Sequence, residues 1–330
     1  MLKYIVNRVI WMIPIVLGVT ILIFTMMTFC PGNPAEIIMG STATEADLLA
    51  KTEELGLNQP FLIRLGNYMA DVFIRHDLGT SWITKIDIVS TIAERLPRTL
   101  ELTLITLLIA FGLGIPIGIL AATHQNRWQD SISMFLALCG VAIPNFWLAL
   151  MLVLIFAVNL GWLPPMGIDQ GIKSYILPAI SGCMGTLATC ARQTRSSMLD
   201  VIRADYITTA RSKGVPEHLV ILKHALKNAL IPIITMLGTT FGALLGGMMI
   251  IETVFSIPGM GTYIIGAVNN RDYPIVQGGT IFLAITFSFC MLLVDLLYAA
   301  VDPRIKAQYA SVKKRAGKNK KEEQQNGQEK

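Results

Sequence analysis

Residues 205–232 read DYITTARSKGVPEHLVILKHALKNALIP and form a polar, basic segment between two apolar runs. Gly214 stands where a helix often ends in a left-handed residue. Pro216 stands where proline is favoured, in the first turn of a following helix. This pattern predicts two short helices joined by a turn at Gly214. The charged residues of the segment are Arg211, Lys213, Lys223, Lys227, Asp205 and Glu217.

Both arms of this segment carry apolar residues at the spacing of a helix face. They are Leu199, Ile202, Tyr206 and Ala210 in the first arm and Ile221, Leu222, Ala225, Leu226 and Ala229 in the second. Steps of three and four place such residues on one side of an α-helix, so each arm is predicted to be amphipathic. Taken alone, the pattern favours an ordinary loop that lies against the membrane or against the chain's own helices.

The composition of the whole chain is that of a membrane protein. Of its 330 residues, 53% are hydrophobic and only 15% are charged, and the mean hydropathy is +0.57. Soluble domains rarely carry so few charges. The net charge of +5 reflects basic loops beside membrane spans and does not indicate nucleic-acid binding.

The residue types used in metal sites and active sites form no recognisable pattern. All five cysteines fall in or beside apolar runs without a Cys-x-x-Cys pair, and His218 and His224 are six residues apart. A six-residue separation does not make two side chains neighbours on a helix. The sequence has no Walker A motif, nucleophile elbow or zinc motif. We therefore predict no metal site, no catalytic residues and no cofactor bound by this chain.

Six apolar runs are long enough to cross a bilayer, which takes about twenty residues in a helix. The first run is too long for the core of a cleaved signal peptide and is interpreted as a retained span. Pro144 and Asn145 interrupt the third run. The runs are 9–30, 102–123, 131–160, 174–191, 228–251 and 278–300.

The distribution of cations predicts that both termini lie in the cytoplasm. An even number of spans places the termini on one side, and nineteen of the 27 lysine and arginine residues then fall on that side. In the short outer loops only Lys173 and Arg271 are basic. Because cytoplasmic loops are enriched in lysine and arginine, residues 192–228 are expected to face the cytoplasm.

The chain is predicted to have four parts. Residues 1–30 hold the cytoplasmic N-terminus and the first span, and 31–98 form a folded extracytoplasmic loop with a helix around 61–73. Residues 99–302 form the transmembrane core with the cytoplasmic loop, and 303–330 form a basic, disordered cytoplasmic tail.

Small and charged residues inside the predicted spans leave several alternatives open. Gly238, Gly242 and Gly246 recur at four-residue steps. They favour close helix packing and are also candidates for lining a transport pathway. Asp295 in the last span is interpreted equally as a capping or packing residue and as a functional carboxylate.

The segment from 205 resembles the cytoplasmic coupling loop of bacterial ABC importer permeases. Ala210 and Gly214 keep that loop's spacing, although its Glu-Ala-Ala triplet reads Thr208-Thr209-Ala210 here and the nearest acid is Asp205. The departure is similar to the dipeptide, oligopeptide and nickel branch of the family. Further similarities to that branch are PGNPA at 31–35, LGLNQP at 55–60, DLGTSW at 77–82, VFSIPGMG at 254–261, RDYPIVQG at 271–278 and VDLLYAAVDPR at 294–304.

The resemblance implies an all-α membrane protein with six transmembrane helices and the type I ABC importer fold, in a bacterial cell membrane. It implies a homologous second permease subunit, two cytoplasmic ATPase subunits that bind ATP and Mg²⁺, and an extracytoplasmic substrate-binding protein. The implied activity is import of di- and oligopeptides by alternating access. The residues it assigns to the ATPase-coupling loop are Asp205, Tyr206, Ala210, Gly214, Glu217 and His224, and it identifies no substrate-binding residues.

Three other functions stay open from the sequence. Within the same family the cargo is alternatively nickel or a metallophore. A proton-coupled secondary transporter would need paired carboxylates or histidines near the membrane midplane, and only Asp295 comes close. An intramembrane enzyme would need catalytic histidine or aspartate pairs, which the spans lack.

Overall fold

The protein is described from a computed structural model in which residues 2–40 and 43–301 are placed. The basic tail predicted for 303–330 lies outside the described residues. Wider, π-helical turns continue three of the helices, over Asp71–Arg75, Val153–Asn159 and Val220–Ala225. In chain order the helices are α1 (Leu2–Phe29), α2 (Pro34–Met39), α3 (Glu45–Glu54), α4 (Phe61–Ala70), α5 (Ile88–Thr123), α6 (Trp128–Ala142), α7 (Asn145–Leu152), α8 (Ile172–Ile202), α9 (Asp205–Ser212), α10 (Glu217–Leu219), α11 (Leu226–Val254), α12 (Met260–Asn269) and α13 (Tyr273–Val301).

Five helical stretches in the described part of the chain are long and apolar enough to cross a membrane, and a bent pair supplies a sixth crossing. The pair is α6 and α7, which meet at an angle of 98°. Pro144 lies at the bend, and Ile143 before it adopts an extended backbone, as residues before proline prefer. The five single stretches are Ile5–Phe29, Ile88–Thr123, Ile172–Ile202, Glu217–Gly246 and Tyr273–Val294.

Contacts along α8 show that the bent pair crosses the bundle instead of returning to the side it came from. Near its start α6 is held by an ion pair between Asp130 and Arg195, close to the inner end of α8. Further along, Gly140 packs near Ala188. The loop after α7 then meets the outer end of α11, where the amide of Gly167 donates to the carbonyl of Phe255 (2.8 Å). The prediction of six spans is therefore confirmed, with the break at Pro144.

The centre of the bundle is a parallel pair, α5 and α8, in close contact. A Cβ atom added to Gly118 would lie 2.5 Å from Thr194 Cβ, and one added to Gly114 would lie 3.0 Å from the carbonyl of Leu187. Small residues of this kind let two helix backbones approach closely in a membrane. Gly114 and Gly118 therefore lie in the contact between α5 and α8, whereas Gly112 has open space around it.

Two of the spanning helices extend well beyond their apolar runs. Helix α5 begins at Ile88, because the Asp87 carboxylate caps it by accepting from the amide of Ser90 (2.7 Å). Helix α8 continues to Ile202, so much of the predicted cytoplasmic loop is an extension of a span. The segment that connects α8 to α11 is correspondingly short, and both helices support it.

The extracytoplasmic part contains α2, α3 and α4 and is anchored to the start of α13. Ser81 Oγ and the amide of Trp82 both donate to the carboxylate of Asp272, which is 2% exposed. In segment 252–278 the short helix α12 connects α11 to α13. Asp295 lies in α13.

Candidate coupling site

The candidate coupling site, residues 203–225, is an elbow at the inner end of the bundle. It consists of α9, a turn, α10 and the π-helical turn that leads into α11. Arg203 Nη2 donates to Gln125 Oε1 (3.2 Å), which ties the elbow to the connection between α5 and α6. The Asn228 amide donates to the Tyr206 hydroxyl (2.8 Å), which joins α9 to α11. The elbow is thus fixed to three spans.

The turn of the elbow is centred on Gly214, as predicted. Gly214 has a φ of +75°, a backbone conformation that side chains with a Cβ rarely adopt. Its amide donates to the carbonyl of Arg211 (2.9 Å), and the amide of Val215 donates to that of Ala210 (3.3 Å). Nothing lies within 4 Å of the position a Cβ would take. Glycine is therefore favoured here by the backbone conformation and not by crowding within this chain.

An ion pair between Arg211 and Glu217 spans the turn. Arg211 Nη2 and Nε donate to the two carboxylate oxygens of Glu217 at 2.6 and 3.1 Å. Both side chains are substantially exposed, so the pair contributes at most about 1 kcal/mol to stability. The carboxylate raises the pKa of Arg211 above its usual range. The bidentate geometry orients the two arms more than it stabilises the fold.

The predicted apolar stripe of the first arm is wrong at Tyr206. Tyr206 is 44% exposed, while its neighbour Ile207 is fully buried. The stripe was predicted as continuous from residue 199, but α8 ends at Ile202 and α9 begins at Asp205, so the helical phase restarts between them. Ala210 is 8% exposed and packs in the elbow's own core. It therefore supports the elbow from within.

In the second arm the buried residues follow the π-helical turn. Val220 and Ala225 are both fully buried, and their five-residue spacing is the repeat of a π-helix. Ala229 is 1% exposed on the same side, whereas Leu222, predicted in the stripe, is 57% exposed. The buried residues of the elbow form one cluster with the inner ends of α5 and α8, which contains Ala122, Met198, Ile207, Ala210, Val220, Ala225 and Ala229.

The other predicted coupling residues lie at different depths on the elbow. Asp205 is exposed in the first turn of α9, and Glu217 is exposed at the start of α10. His224 is only partly exposed. The outward surface combines the cations Lys213 and Lys223 with exposed apolar side chains, which are Tyr206, Leu219 and Leu222. Such a surface suits a protein partner better than water alone.

Two of the three pathway-lining candidates pack against α13 of the same chain. A Cβ atom on Gly238 would lie 2.5 Å from Val294 Cγ1, and one on Gly242 would overlap the ring of Phe287. This agrees with the helix-packing interpretation. Gly246 faces open space and remains the candidate of the three for lining a pathway.

Two buried carboxylates that the sequence analysis did not single out hold the ends of the bundle. At the inner end, Asp130 accepts from Arg195 Nε and Nη2 at 2.6 and 2.7 Å. At the outer end, Glu252 is fully buried beyond the Glu217–Gly246 span and accepts from Thr99 Oγ1 (2.5 Å) and from the amide of Gly261 (2.7 Å). Burial raises the pKa of the Glu252 carboxyl, and these hydrogen bonds oppose the rise.

Comparison with known families adds an independent line of evidence. The family model described as "Binding-protein-dependent transport system inner membrane component" matches residues 114–307. A second model, for the N-terminal part of such membrane components, matches residues 1–103. Together the two models account for nearly the whole described chain.

Several curated proteins are similar to this chain over almost their full length. The dipeptide transport system permease protein DppB of Alkalihalophilus pseudofirmus is 44% identical, over 93% of this chain and 100% of that protein. The glutathione transport system permease protein GsiC is 41% identical in Salmonella choleraesuis and 39% identical in Escherichia coli K12, over 93% of this chain and 99% of each relative.

Solved structures support the same fold. Two inward-facing crystal forms of the MetNI methionine ABC transporter align with TM-scores of 0.53 and 0.55, at 18% and 16% identity. They cover 65% and 64% of this chain and 97% and 96% of the matched chains. This similarity of fold agrees with the family models and with the full-length relatives. The chain belongs to the family of binding-protein-dependent transport system inner membrane components.

Proposed function

We propose that this protein is the permease subunit of an ATP-driven importer that moves di- and oligopeptides from an extracytoplasmic binding protein into the cytoplasm. The observation that carries the proposal is the elbow: an exposed, basic and partly apolar surface fixed to the inner ends of three spans. The cargo class is supported by relatives that are permeases for dipeptides and for glutathione, itself a short peptide.

The complete transporter would contain a homologous second permease, two cytoplasmic ATPases and the binding protein. ATP and Mg²⁺ would be bound by the ATPases, since this chain has no Walker A motif and is a non-catalytic subunit in the proposal. Several spanning helices carry large apolar side chains on their outer faces, such as Leu108 (73% exposed) and Leu136 (61%). Those faces are suited to lipid and to a second membrane subunit.

The elbow would dock in the ATPase through its exposed residues and pass motion on through its buried ones. Tyr206, Leu219 and Leu222 offer apolar contacts, and Lys213 adds charge. Ala210 and Gly214 would act in different ways: Ala210 packs the elbow onto the bundle, and Gly214 sets the angle between the arms. A push on this surface reaches α5 and α8 directly, because they share one apolar cluster with it.

Transport by alternating access follows if ATP binding and hydrolysis change which arrangement of the bundle is favoured. ATP-driven closure of the ATPases would push the elbow and open the bundle outward, where the binding protein releases its peptide. Hydrolysis would then return the bundle to the inward-open arrangement. The ATPases can shift this equilibrium only if they bind the two arrangements with different affinity. The elbow is the contact through which they would distinguish the two arrangements.

Co-purification from the native membrane tests the proposal. The tagged chain is expected to bring down two ATP-hydrolysing subunits and a second permease. The purified complex should then hydrolyse ATP faster when short peptides and the binding protein are added. Stimulation by nickel or a metallophore instead of peptides would overturn the cargo assignment. A chain that purifies without ATPases and moves solute on a proton gradient would overturn the importer itself.

A further inference from the structure

A cavity of about 280 Å³ opens on the extracytoplasmic side, where the outer helices meet the membrane core. Its position differs from both the elbow and the centre of the bundle. We call it the outer pocket; its walls include Phe24, Arg64, Tyr68, Asp77, Trp82 and Gln277. The end of α1, the region of α4 and the start of α13 all contribute to it. A molecule held there would touch both the N-terminal region and the transmembrane core.

Paired aromatic rings make two of the walls firm. Phe24 and Tyr68 are stacked with ring centroids 5.4 Å apart, and Trp82 and Tyr273 are also 5.4 Å apart. The second pair is reinforced by Asp272, which accepts hydrogen bonds from Ser81 and from the amide of Trp82. The outer pocket therefore has a fixed shape, as ligand sites usually do.

Two polar groups in these walls lack a hydrogen-bond partner within the described chain. The hydroxyl of Tyr68 is buried and unpaired. Gln277 is only 6% exposed, and its amide makes no hydrogen bond to any described residue. Buried polar groups in folded proteins are nearly always paired. The Tyr68 hydroxyl has almost no accessible surface, so of the two only the Gln277 amide is available to a polar ligand in the cavity.

The charged groups of the outer pocket are of both signs. Arg64 is partly buried, with its guanidinium 5.8 Å from the centre of the Phe24 ring, and forms no ion pair with any described residue. Asp77 accepts one hydrogen bond, from the amide of Gly79 (2.7 Å), which leaves its carboxylate room for further donors. Asp71, which also lines the cavity, is already paired with Arg75.

We propose that the outer pocket binds a short zwitterionic peptide, with its C-terminal carboxylate on Arg64 and its N-terminal ammonium on Asp77. Guanidinium groups hold carboxylates through paired hydrogen bonds, and carboxylates hold ammonium groups. The aromatic walls take up apolar side chains of the ligand, and the Gln277 amide binds its peptide unit. At about 280 Å³ the cavity lies just below the range of about 300–1,000 Å³ for small-molecule sites, which suits a ligand as small as a dipeptide.

Other ligand classes fit these walls less well. A polyanion would be repelled by the carboxylates of Asp71 and Asp77, and a purely apolar molecule would leave Arg64 and Gln277 unpaired. The choice of a peptide rests on the proposed importer function, whereas the preference for a carboxylate rests on Arg64 alone. The site would hold cargo on the permease itself, separately from the binding protein.

Peptide binding to the purified transporter in nanodiscs, without the binding protein, tests the inference. The probes are radiolabelled Ala-Ala, its C-terminal amide and its N-acetyl form. Arg64→Gln is expected to weaken Ala-Ala binding roughly tenfold or more, the usual size of a lost charge-assisted hydrogen bond. Amidation should weaken binding to the native protein by a similar factor and have little further effect on Arg64→Gln.

Two more variants guard against a general loss of structure. Lys85→Gln, which removes an exposed cation of the same region that does not line the outer pocket, should bind like the native protein. Tyr68→Phe keeps the ring stack and removes only a hydroxyl that is not accessible from the cavity, so binding like that of the native protein is expected. Equal binding by native protein and Arg64→Gln, or equal binding of Ala-Ala and its amide, would overturn the inference.

Import measured in parallel separates this inference from the proposed function. ATP-driven uptake of peptides with binding that ignores Arg64 would refute the outer pocket and leave the importer intact. Binding that depends on Arg64 in a complex that imports no peptide would support the pocket and refute the importer.

Discussion

Arg211 and Glu217 form a two-point ion pair that closes the turn of the elbow around Gly214. The pair joins residues six apart on two different helices, so it fixes the angle between the arms. Because the side chains are exposed, its value lies in orientation more than in stability. The elbow can then act as a stiff contact between a partner and the spans.

Breaking this pair should therefore impair coupling more than folding. Arg211→Ala is expected to lower stability by less than about 1 kcal/mol but to reduce peptide-stimulated ATP hydrolysis clearly in the assembled transporter. The reversed pair, Arg211→Glu with Glu217→Arg, should recover part of the loss. Native-like stimulation in Arg211→Ala would show that the ion pair is incidental.

The left-handed backbone at Gly214 predicts a graded response to substitution. Gly214→Asn should be tolerated, because asparagine adopts this conformation comparatively easily and the surrounding space is open. Gly214→Val should abolish coupling without preventing membrane insertion, since a β-branched residue is strained there by about 1–3 kcal/mol. Peptide-stimulated ATPase activity and protein yield in the membrane measure the two effects. Equal loss in both variants would point to a docking contact that tolerates no side chain.

The two ion pairs near the inner face should differ sharply in importance. Asp130 is 4% exposed, so Arg195→Ala leaves a buried carboxylate without its partner and is expected to cost about 3–5 kcal/mol. That is several times the effect of Arg211→Ala on the exposed pair. Denaturation midpoints of the two variants in the same detergent provide the comparison, and similar midpoints would contradict the assigned burial.

Because α5 and α8 pack closely, replacing a glycine of α5 by alanine should destabilise the protein more at the contact with α8 than elsewhere on α5. Gly118→Ala places a Cβ 2.5 Å from Thr194 Cβ and should destabilise the protein by about 1–3 kcal/mol. Gly112→Ala is the matched control on the same helix, and its open surroundings predict a change within about 0.5 kcal/mol. The readout is thermal unfolding in detergent; equal melting temperatures would disprove the close approach.

The hydrogen bonds of Glu252 with Thr99 and Gly261 at the outer end of the bundle, here called the outer clamp, should depend on the Thr99 hydroxyl. Thr99 Oγ1 donates to Glu252 and accepts from the amide of Met260 (2.8 Å), so Thr99→Val leaves both groups short of a partner in a buried place. A loss of roughly 1–3 kcal/mol is expected, with faster proteolysis between α11 and α12. Thr99→Ser keeps the hydroxyl and should behave like the native protein. Slow cleavage in Thr99→Val would mean that the clamp does not hold this loop.

The features of this fold that can be predicted from sequence are those set by local chemistry. Apolar run length predicted the spans, Pro144 predicted the break in the third, and Gly214 predicted the turn of the elbow. Each depends on a residue and its immediate neighbours. The two short helices of the elbow were likewise predicted from local sequence.

Features that depend on distant contacts could not be predicted in this way. Glu252 and Thr99 are 153 residues apart, and no local pattern pairs them. The predicted inward face of α9 was wrong because α8 ends at Ile202 and α9 begins as a separate helix. Tyr206 is therefore exposed, and Ile207 is buried. Helical periodicity does not carry across such a break.

Photo-crosslinking from Leu222 is the most direct test of the claim that the elbow contacts the ATPase. Leu222 is 57% exposed on the elbow, and Leu62, 76% exposed on the extracytoplasmic helix α4, is the control. A benzophenone amino acid is placed at each position in turn, and the transporter is irradiated in intact membranes. A crosslink to the ATP-hydrolysing subunit is expected from position 222 and none from position 62. An assembled, active transporter that gives no such crosslink from position 222 would contradict the claim.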